Sequence, residues 1–473
     1  MFQQRMRCSV ERTLLLILGL AILLGMAACS GGSSSSSSSG TGGTGGGGTG
    51  GGTGGGGTGG GGTGGSNVVI GSAFFGMTAA FFEQGAPYAG NWPTVTIGTL
   101  AKTNGTQWSA IEKTPGNYDW TNLDHVIQLA QANGVNSIIY TFYGVPSFYN
   151  ANDAPCLQTG CGGPPSDMSA FASFVSALAT RYKGQISYYE LWNEGNRSGS
   201  WNGTTAQFVS LGQTAYQTIK GIDPNAKVLS PSPDIASTFA SFIQGYLQNG
   251  GSTYSDGISW HGYHCADSSG VTCLQGTGCD NNALDCAGAP LINQIQAVKQ
   301  AAQAAGVGTL PLYDTEGGWQ QNEDLPNLDD QVAYISRWYV IQASEGVASA
   351  SWYGWGGSPS DPTAWGTIFD AFTGQPTQAA TAYQTTEMWL NGSTMNGACS
   401  ADSSNIWTCP LTFSNGNSGL VVWNGNETDS SYTPAIKYVQ YEDVQGGAPV
   451  AIPSGSTVTI HERPILLETG SRP

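Results

Sequence analysis

From Val68 to about Gly357 the chain alternates short runs of β-branched and aromatic residues with longer stretches of helical period. The pattern predicts eight strands: Phe74–Thr78, Val95–Leu100, Ser137–Phe142, Ile186–Trp192, Lys227–Ser230, Gly257–Tyr263, Leu310–Thr315 and Ala348–Tyr353. Helices are predicted at Leu123–Asn133, Met168–Tyr182, Thr204–Ile222, Ile235–Gln248, Leu291–Ala305 and Gln331–Glu345. Leu123, Val126, Ile127 and Ala130 form an i, i+3, i+4, i+7 stripe. Asn122 and Asp167 stand where helix caps belong. The first crossover, Ala79 to Thr94, shows no clean helix. Repeated strand–helix alternation implies a parallel sheet with helices outside, and eight units close into a (β/α)8 TIM barrel.

After Gly374 the period changes. A helix at Gln378–Leu390 leads into short alternating strands at Ile406–Thr412, Gly419–Trp423, Ile436–Tyr441, Thr457–His461 and Pro464–Glu468, separated by Asn-Gly and Pro-Ser-Gly turns. This predicts a small C-terminal antiparallel β-sandwich, so the class is α/β with the barrel at 67–375 and the second domain at 376–473.

The start of the chain reads differently. Arg5, Arg7 and Arg12 precede an apolar run, Leu14 to Ala28, ending in Met26-Ala27-Ala28-Cys29. That is the layout of a secretory signal, too short and oddly flanked for a membrane span. Cys29 after small residues resembles a bacterial lipobox, so residues 1–29 are expected to be a lipoprotein signal with Cys29 lipidated. An ordinary signal cleaved near Ala28 is the alternative. Residues 30–66 are only Ser, Gly and Thr. With no apolar surface to bury they form a linker, spanning about 35 Å as a flexible coil. The expected location is the outer membrane or cell surface, with the lipid as the sole membrane contact and the protein a monomer.

Lys and Arg number 15 against 32 Asp and Glu, a formal net charge of −17. An acidic surface argues against nucleic acid as a partner. Only 10% of residues are charged, yet there are 14 Trp and 20 Tyr. Aromatic rings bury the apolar C–H faces of sugars well. Of the ten cysteines, Cys8 and Cys29 fall in the leader. The other eight cluster locally: Cys156 with Cys161; Cys265, Cys273, Cys279 and Cys286; and Cys399 with Cys409. An even number in an exported chain reads as disulfides, with the middle four stapling one long loop in any of three pairings. No C-x-x-C pair is present to suggest zinc, and no metal or organic cofactor is expected.

In such a barrel, function sits at the C-terminal strand ends. Strand 4 ends Tyr189-Glu190-Leu191-Trp192-Asn193-Glu194 and strand 7 ends Tyr313-Asp314-Thr315-Glu316-Gly317-Gly318-Trp319. Each puts a Glu at the mouth, and paired carboxylates are what glycosidic cleavage requires. Period-2 alternation puts Glu190 on the face of Glu194, buried and paired. The same rule puts Asp314 on the face of Glu316, in a supporting place. Strand 6 ends His261-Gly262-Tyr263-His264, and strand 8 ends Trp352-Tyr353-Gly354-Trp355. Rings at Trp201, Trp319, Trp355 and Trp365 would suit an extended sugar chain.

Y-Y-E-L-W-N-E-G-N on strand 4 and L-Y-D-T-E-G-G-W on strand 7 resemble clan A glycoside hydrolases, most of all family 39 and its near neighbours. Trp108–Trp120, Ile139–Phe148, Asp223–Val228 and Trp260–Tyr263 resemble that group as well. The resemblance implies Glu194 as acid/base and Glu316 as nucleophile of a retaining mechanism. It implies Asn193 as the partner of the sugar 2-hydroxyl, and Trp352 and Trp355 as stacking rings. His261 and Tyr263 fall where polar groups orient the nucleophile or touch substrate, and His264 and Trp319 join the substrate contacts. One departure stands out: such enzymes often carry an Arg near the end of strand 2, where this chain reads Gly98-Thr99-Leu100-Ala101-Lys102, so either Lys102 is its substitute or the site is ordered differently. The implied activity is a retaining β-glycoside hydrolase, and the rings at Trp201, Trp319, Trp355 and Trp365 point to endo-action on a plant or bacterial polysaccharide. The alternatives are an exo-acting β-xylosidase, a transglycosylase, or a non-catalytic carbohydrate-binding surface lipoprotein.

Overall fold

The computed structural model describes residues 68–78, 92, 94–101, 105–135, 137–151, 156–157, 160–234, 238–263, 283–370 and 372–473. The leader, Cys29, the linker, Lys102, His264, Cys265, Cys273 and Cys279 lie outside the described residues.

Eight parallel strands form the barrel wall: β1 (Phe75–Thr78), β2 (Thr99–Ala101), β3 (Ser137–Thr141), β4 (Tyr188–Glu190), β5 (Lys227–Leu229), β6 (Ile258–Tyr263), β7 (Leu312–Gly318) and β8 (Ser349–Trp352). Their order in the sheet runs β6-β7-β8-β1-β2-β3-β4-β5. The remaining seam, β5 to β6, is closed by a bridge between Leu229 and Gly257. Ser259 adds two bonds across it, its amide donating to Ser230 Oγ at 3.0 Å and its hydroxyl to the Ser230 carbonyl at 2.7 Å. Several strands are shorter than predicted, because hydrogen-bonded pairing ends before the apolar run does; β7 instead extends past Thr315 to Gly318.

Helices α1 (Thr121–Ala132), α2 (Met168–Arg181), α3 (Thr205–Ile222), α4 (Phe239–Gln248), α5 (Ala289–Ala304) and α6 (Leu328–Ser344) cover the wall. The predicted stripe of α1 is its buried face. Asp167 caps α2, accepting from the amides of Ser169 and Ala170, and Thr204 with Gln207 forms a capping box on α3. Asn122 is not a cap: α1 begins one residue before it, at Thr121, whose amide bonds the Asp119 carboxylate at 3.1 Å.

Helix α6 is buried all round from Gln331 to Ser344, because it lies between the barrel and the C-terminal domain. Its polar residues are partnered accordingly. Gln331 donates to the Leu325 carbonyl, Ser336 accepts from Thr386, and Arg337 donates to the carbonyls of Glu462 and Asn424. Beyond α7 (Gln378–Leu390), β9 (Ile406–Thr412), β10 (Ser418–Asn424), β11 (Gln440–Asp443) and β12 (Ile465–Glu468) form an antiparallel sheet in the order β9-β10-β12-β11. Strand β9 alternates half-buried and buried positions, with Trp407, Cys409 and Leu411 inward. Those residues join the barrel-side core, with Trp407 stacked on Trp423 at 5.4 Å. The opposite face packs Val422, Ile465 and Leu467 against Val458 and Ile460 of a two-stranded sheet, completing the sandwich. Disulfides join Cys156 to Cys161 and Cys399 to Cys409. Cys286 is also disulfide-bonded, to a partner outside the described residues.

Candidate active site

The barrel interior is filled in layers. Ala101, Ile139, Leu229 and Tyr313 cluster with Tyr188 as one apolar layer. Two residues further along three of these strands come Thr141, Glu190 and Thr315, a polar layer. Glu190 is buried there and accepts from Thr141 Oγ1 at 2.9 Å and Thr315 Oγ1 at 2.6 Å. Above them lie Glu194, His261 and Glu316.

Glu194 follows β4 in a left-handed turn, with φ of 50°. Three bonds tie that turn to the loop after β5. Asn196 exchanges two of them with Asp234, at 3.0 and 2.9 Å, and Arg197 donates a third to the Asp234 carboxylate. The Arg197 guanidinium also lies 3.5 Å from Glu194 Oε2. Arg197 and Asp234 were not singled out from sequence; the signal available was their place at the ends of strands 4 and 5.

His261 is 1% exposed and lies between the two acids. Its Nδ1 is 3.1 Å from Glu194 Oε1 and its Nε2 is 3.7 Å from Glu316 Oε2. One atom from each of Glu194, His261 and Glu316 can be chosen so that all three lie within 4.8 Å of one another. The same three residues would be the ones to hold a metal ion. Burial alone would lower the His261 pKa, but the charges of Glu316, Glu194 and Glu190 outweigh it, and the pKa is raised to about 9. The Tyr263 hydroxyl donates to Glu316 Oε1 at 2.8 Å. Burial, then the Glu316 charge, holds its pKa well above the usual phenol value, so it remains a donor.

Asp314 does not share the facing of Glu316. It points outward, accepting from the Gly262 amide at 2.8 Å and from Gln342 of α6. Burial pushes its carboxyl up to about 8, against the pull of those two donors. A Cβ on Gly262 would sit 1.9 Å from Asp314 Oδ2, so only glycine fits beside it. The pairing of β6 with β7 explains the reversal. Trp260 is opposite Asp314 but His261 is opposite Glu316, so Thr315 is an extra residue that breaks the alternation.

The expected stacking tryptophans are corrected. Trp319, Trp352 and Trp355 are each 0% exposed. Trp352 packs edge-on against Trp319 at 4.9 Å and Trp338 at 5.5 Å, and donates to the Gly366 carbonyl. Trp355 packs on Phe369 at 5.2 Å. A covered ring offers a sugar no face. Trp201 is likewise buried, against Phe208 and Trp192. The half-buried rings beside the site are Trp365 and Tyr353, 5.2 and 6.2 Å from Tyr263. Asn193 is half-buried, bridging to Ser232 next to the Glu194 turn.

No protein-family model matches the chain. Endo-1,4-beta-xylanase A of Phanerodontia chrysosporium is 28% identical over 142 residues, covering 28% of this chain and 32% of that protein. A family 39 glycoside hydrolase from the gut symbiont Bacteroides cellulosilyticus WH2 superposes with a TM-score of 0.60 at 16% identity, over 79% of this chain and 75% of that one. A GH39 β-xylosidase from Caulobacter crescentus gives 0.58 at 15% identity, over 86% and 98% of the two chains. The catalytic domain of GH30 xylanase C from Talaromyces cellulolyticus gives 0.55 at 14% identity, over 86% and 98%. In fold, the chain is similar to these family 39 and family 30 glycoside hydrolases.

Proposed function

We propose that this protein is a retaining β-glycoside hydrolase, endo-acting on a plant or bacterial polysaccharide, with a β-1,4-xylan backbone as the first substrate to test. The observation that carries the reading is the approach of Glu194 and Glu316 oxygens to within 4.8 Å across the barrel mouth. Retaining enzymes hold their carboxyl groups about 5–5.5 Å apart, while inverting ones leave roughly 6.5–9.5 Å for a water. In the first step Glu316 attacks the anomeric carbon while Glu194 gives its proton to the departing oxygen. The glycosidic bond breaks and a glycosyl ester on Glu316 forms. In the second step Glu194, now a base, takes a proton from water, whose oxygen displaces Glu316 with overall retention. Tyr263 orients the Glu316 carboxylate, and Asn193 is the partner of the 2-hydroxyl.

The xylan choice leans on the sequence relative, a xylanase. The alternative is an exo-acting β-xylosidase, the activity named for the Caulobacter protein of like fold. Mass analysis of products from xylan, mixed-linkage glucan, mannan, arabinan and bacterial exopolysaccharide separates them: internal cleavage yields a ladder, exo-action a single monosaccharide. Glu194→Ala and Glu316→Ala are each expected to abolish most turnover while the far-UV spectrum stays unchanged. A Glu194→Ala enzyme with near-full turnover on the natural polysaccharide would refute the assignment.

We further infer export and tethering through a lipid on Cys29, with the barrel at 67–375 and the second domain at 376–473. The disulfides suit an oxidising compartment. Among the described residues no helix is long and apolar enough to cross a membrane. Loss of membrane fractionation in Cys29→Ala tests the anchor.

A further inference from the structure

Strand β7 turns its nucleophile inward only because of one extra residue. Tyr313 faces into the barrel and Asp314 faces out. Strict alternation would next send Thr315 in and Glu316 out. The slip in the β6–β7 pairing adds Thr315 as a bulge and brings Glu316 round to face His261.

Something must hold that bulge, since its residue has left the regular ladder. Thr315 Oγ1 donates to Glu190 Oε1 at 2.6 Å and also lies 3.3 Å from the Trp260 carbonyl. The second Glu190 oxygen accepts from Thr141 of β3 at 2.9 Å. Glu190 is 1% exposed and ends β4, four residues before Glu194. A buried carboxylate is costly to desolvate, and an apolar side chain would fill the same space more favourably. Its presence at this point calls for a role.

We propose that Glu190 is a positioning residue: by gripping Thr315 it pins the bulge that aims Glu316 at the barrel mouth. It thereby braces the acid/base strand against the nucleophile strand and sets their separation. The inference rests on Glu316 being the nucleophile, as proposed above.

Crystal structures of Thr315→Val and Thr315→Ser test the brace whatever the substrate. Valine keeps the branched shape and loses the hydroxyl; serine keeps the hydroxyl. The Thr315→Val structure is expected to show Glu316 off the Tyr263 hydroxyl, and the Thr315→Ser structure to keep that bond. A Thr315→Val structure with the bulge and the Glu316–Tyr263 bond intact overturns the proposal. Covalent trapping of Glu316 by 2,4-dinitrophenyl 2-deoxy-2-fluoro-β-xyloside reads the consequence. Misplacing a reacting group by 1 Å can cost about a hundredfold, so trapping is expected to slow roughly ten- to a hundredfold in Thr315→Val and to be largely restored in Thr315→Ser. Should Thr315→Val not fold, Glu190→Gln keeps the volume but turns one of the two accepting oxygens into an NH2 that cannot accept from its threonine. It is expected to slow trapping roughly two- to tenfold, the span of one neutral hydrogen bond. Unchanged trapping in a Glu190→Gln protein whose side chain no longer bonds Thr315 again overturns the proposal. A wild type that the xyloside never labels counts against the substrate reading instead, and leaves the crystallographic comparison decisive for the brace.

Discussion

His261 makes stability and pH report on the same site. It is buried between Glu194 and Glu316, with Glu190 below, and its pKa rises from 6.5 to about 9. Because the folded value lies above the unfolded one, the imidazolium stabilises the fold fully below pH 6.5. That contribution fades as pH climbs and is gone once pH has passed about 9. Every tenfold gain in proton affinity corresponds to about 1.4 kcal/mol, so the contribution is on the order of 3 kcal/mol. Asp314 complicates the raw curve. Its raised pKa of about 8 costs stability progressively between roughly pH 4 and 8, as the unfolded chain ionises while the buried carboxyl stays neutral. The difference between wild type and His261→Gln removes the part of that background set by burial, while the smaller part owed to the His261 charge stays in the difference. Glutamine still offers Glu194 a donor but does not titrate. Urea unfolding at pH 6, 7, 8, 9 and 10 is the assay. The wild type is expected to lose about 3 kcal/mol more than His261→Gln between pH 6 and 10. Parallel curves for the two proteins would show that the imidazole carries no extra proton, and the electrostatic account of the site would fail.

Tyr263→Phe deletes one hydrogen bond to a charged group, worth roughly 1.5–3 kcal/mol, so kcat/KM should drop about ten- to a hundredfold. An unaltered kcat/KM would mean that the 2.8 Å contact does not orient Glu316. Arg337→Ala leaves the carbonyls of Glu462 and Asn424 without their donor at the buried seam of barrel and β-domain. A loss of roughly 2–4 kcal/mol in unfolding free energy is expected, read by chemical denaturation. The Cys156–Cys161 and Cys399–Cys409 disulfides should also differ under mild dithiothreitol. Cys156 is exposed, whereas Cys399 and Cys409 are buried, so alkylation mapped by mass spectrometry should label Cys156 and Cys161 first. Labelling in the opposite order would contradict the packing of the Cys399–Cys409 bridge.

Much of this protein was legible in its residue pattern. Alternating periods gave the barrel because a parallel strand buried on both faces and a helix buried on one stripe leave different marks. The two Glu at the ends of strands 4 and 7 were legible because that end of a barrel is where side chains leave the wall. Local cysteine clustering anticipated the Cys156–Cys161 and Cys399–Cys409 bridges, since near neighbours in sequence are near neighbours in space.

Other features depended on the tertiary fold. Alternation put Asp314 beside Glu316, but a bulge is a property of two paired strands and leaves no period in one of them. Trp352, Trp355 and Trp319 carry the same indole whether a ring faces a sugar or the core, and only packing against Trp338 and Phe369 decided for the core. The charge on His261 arises from Glu316, Glu194 and Glu190, which lie 55 to 71 positions away in the chain. Sequence determines which groups can meet; the closing of the barrel decides which do, because electrostatics and burial act through distance in space.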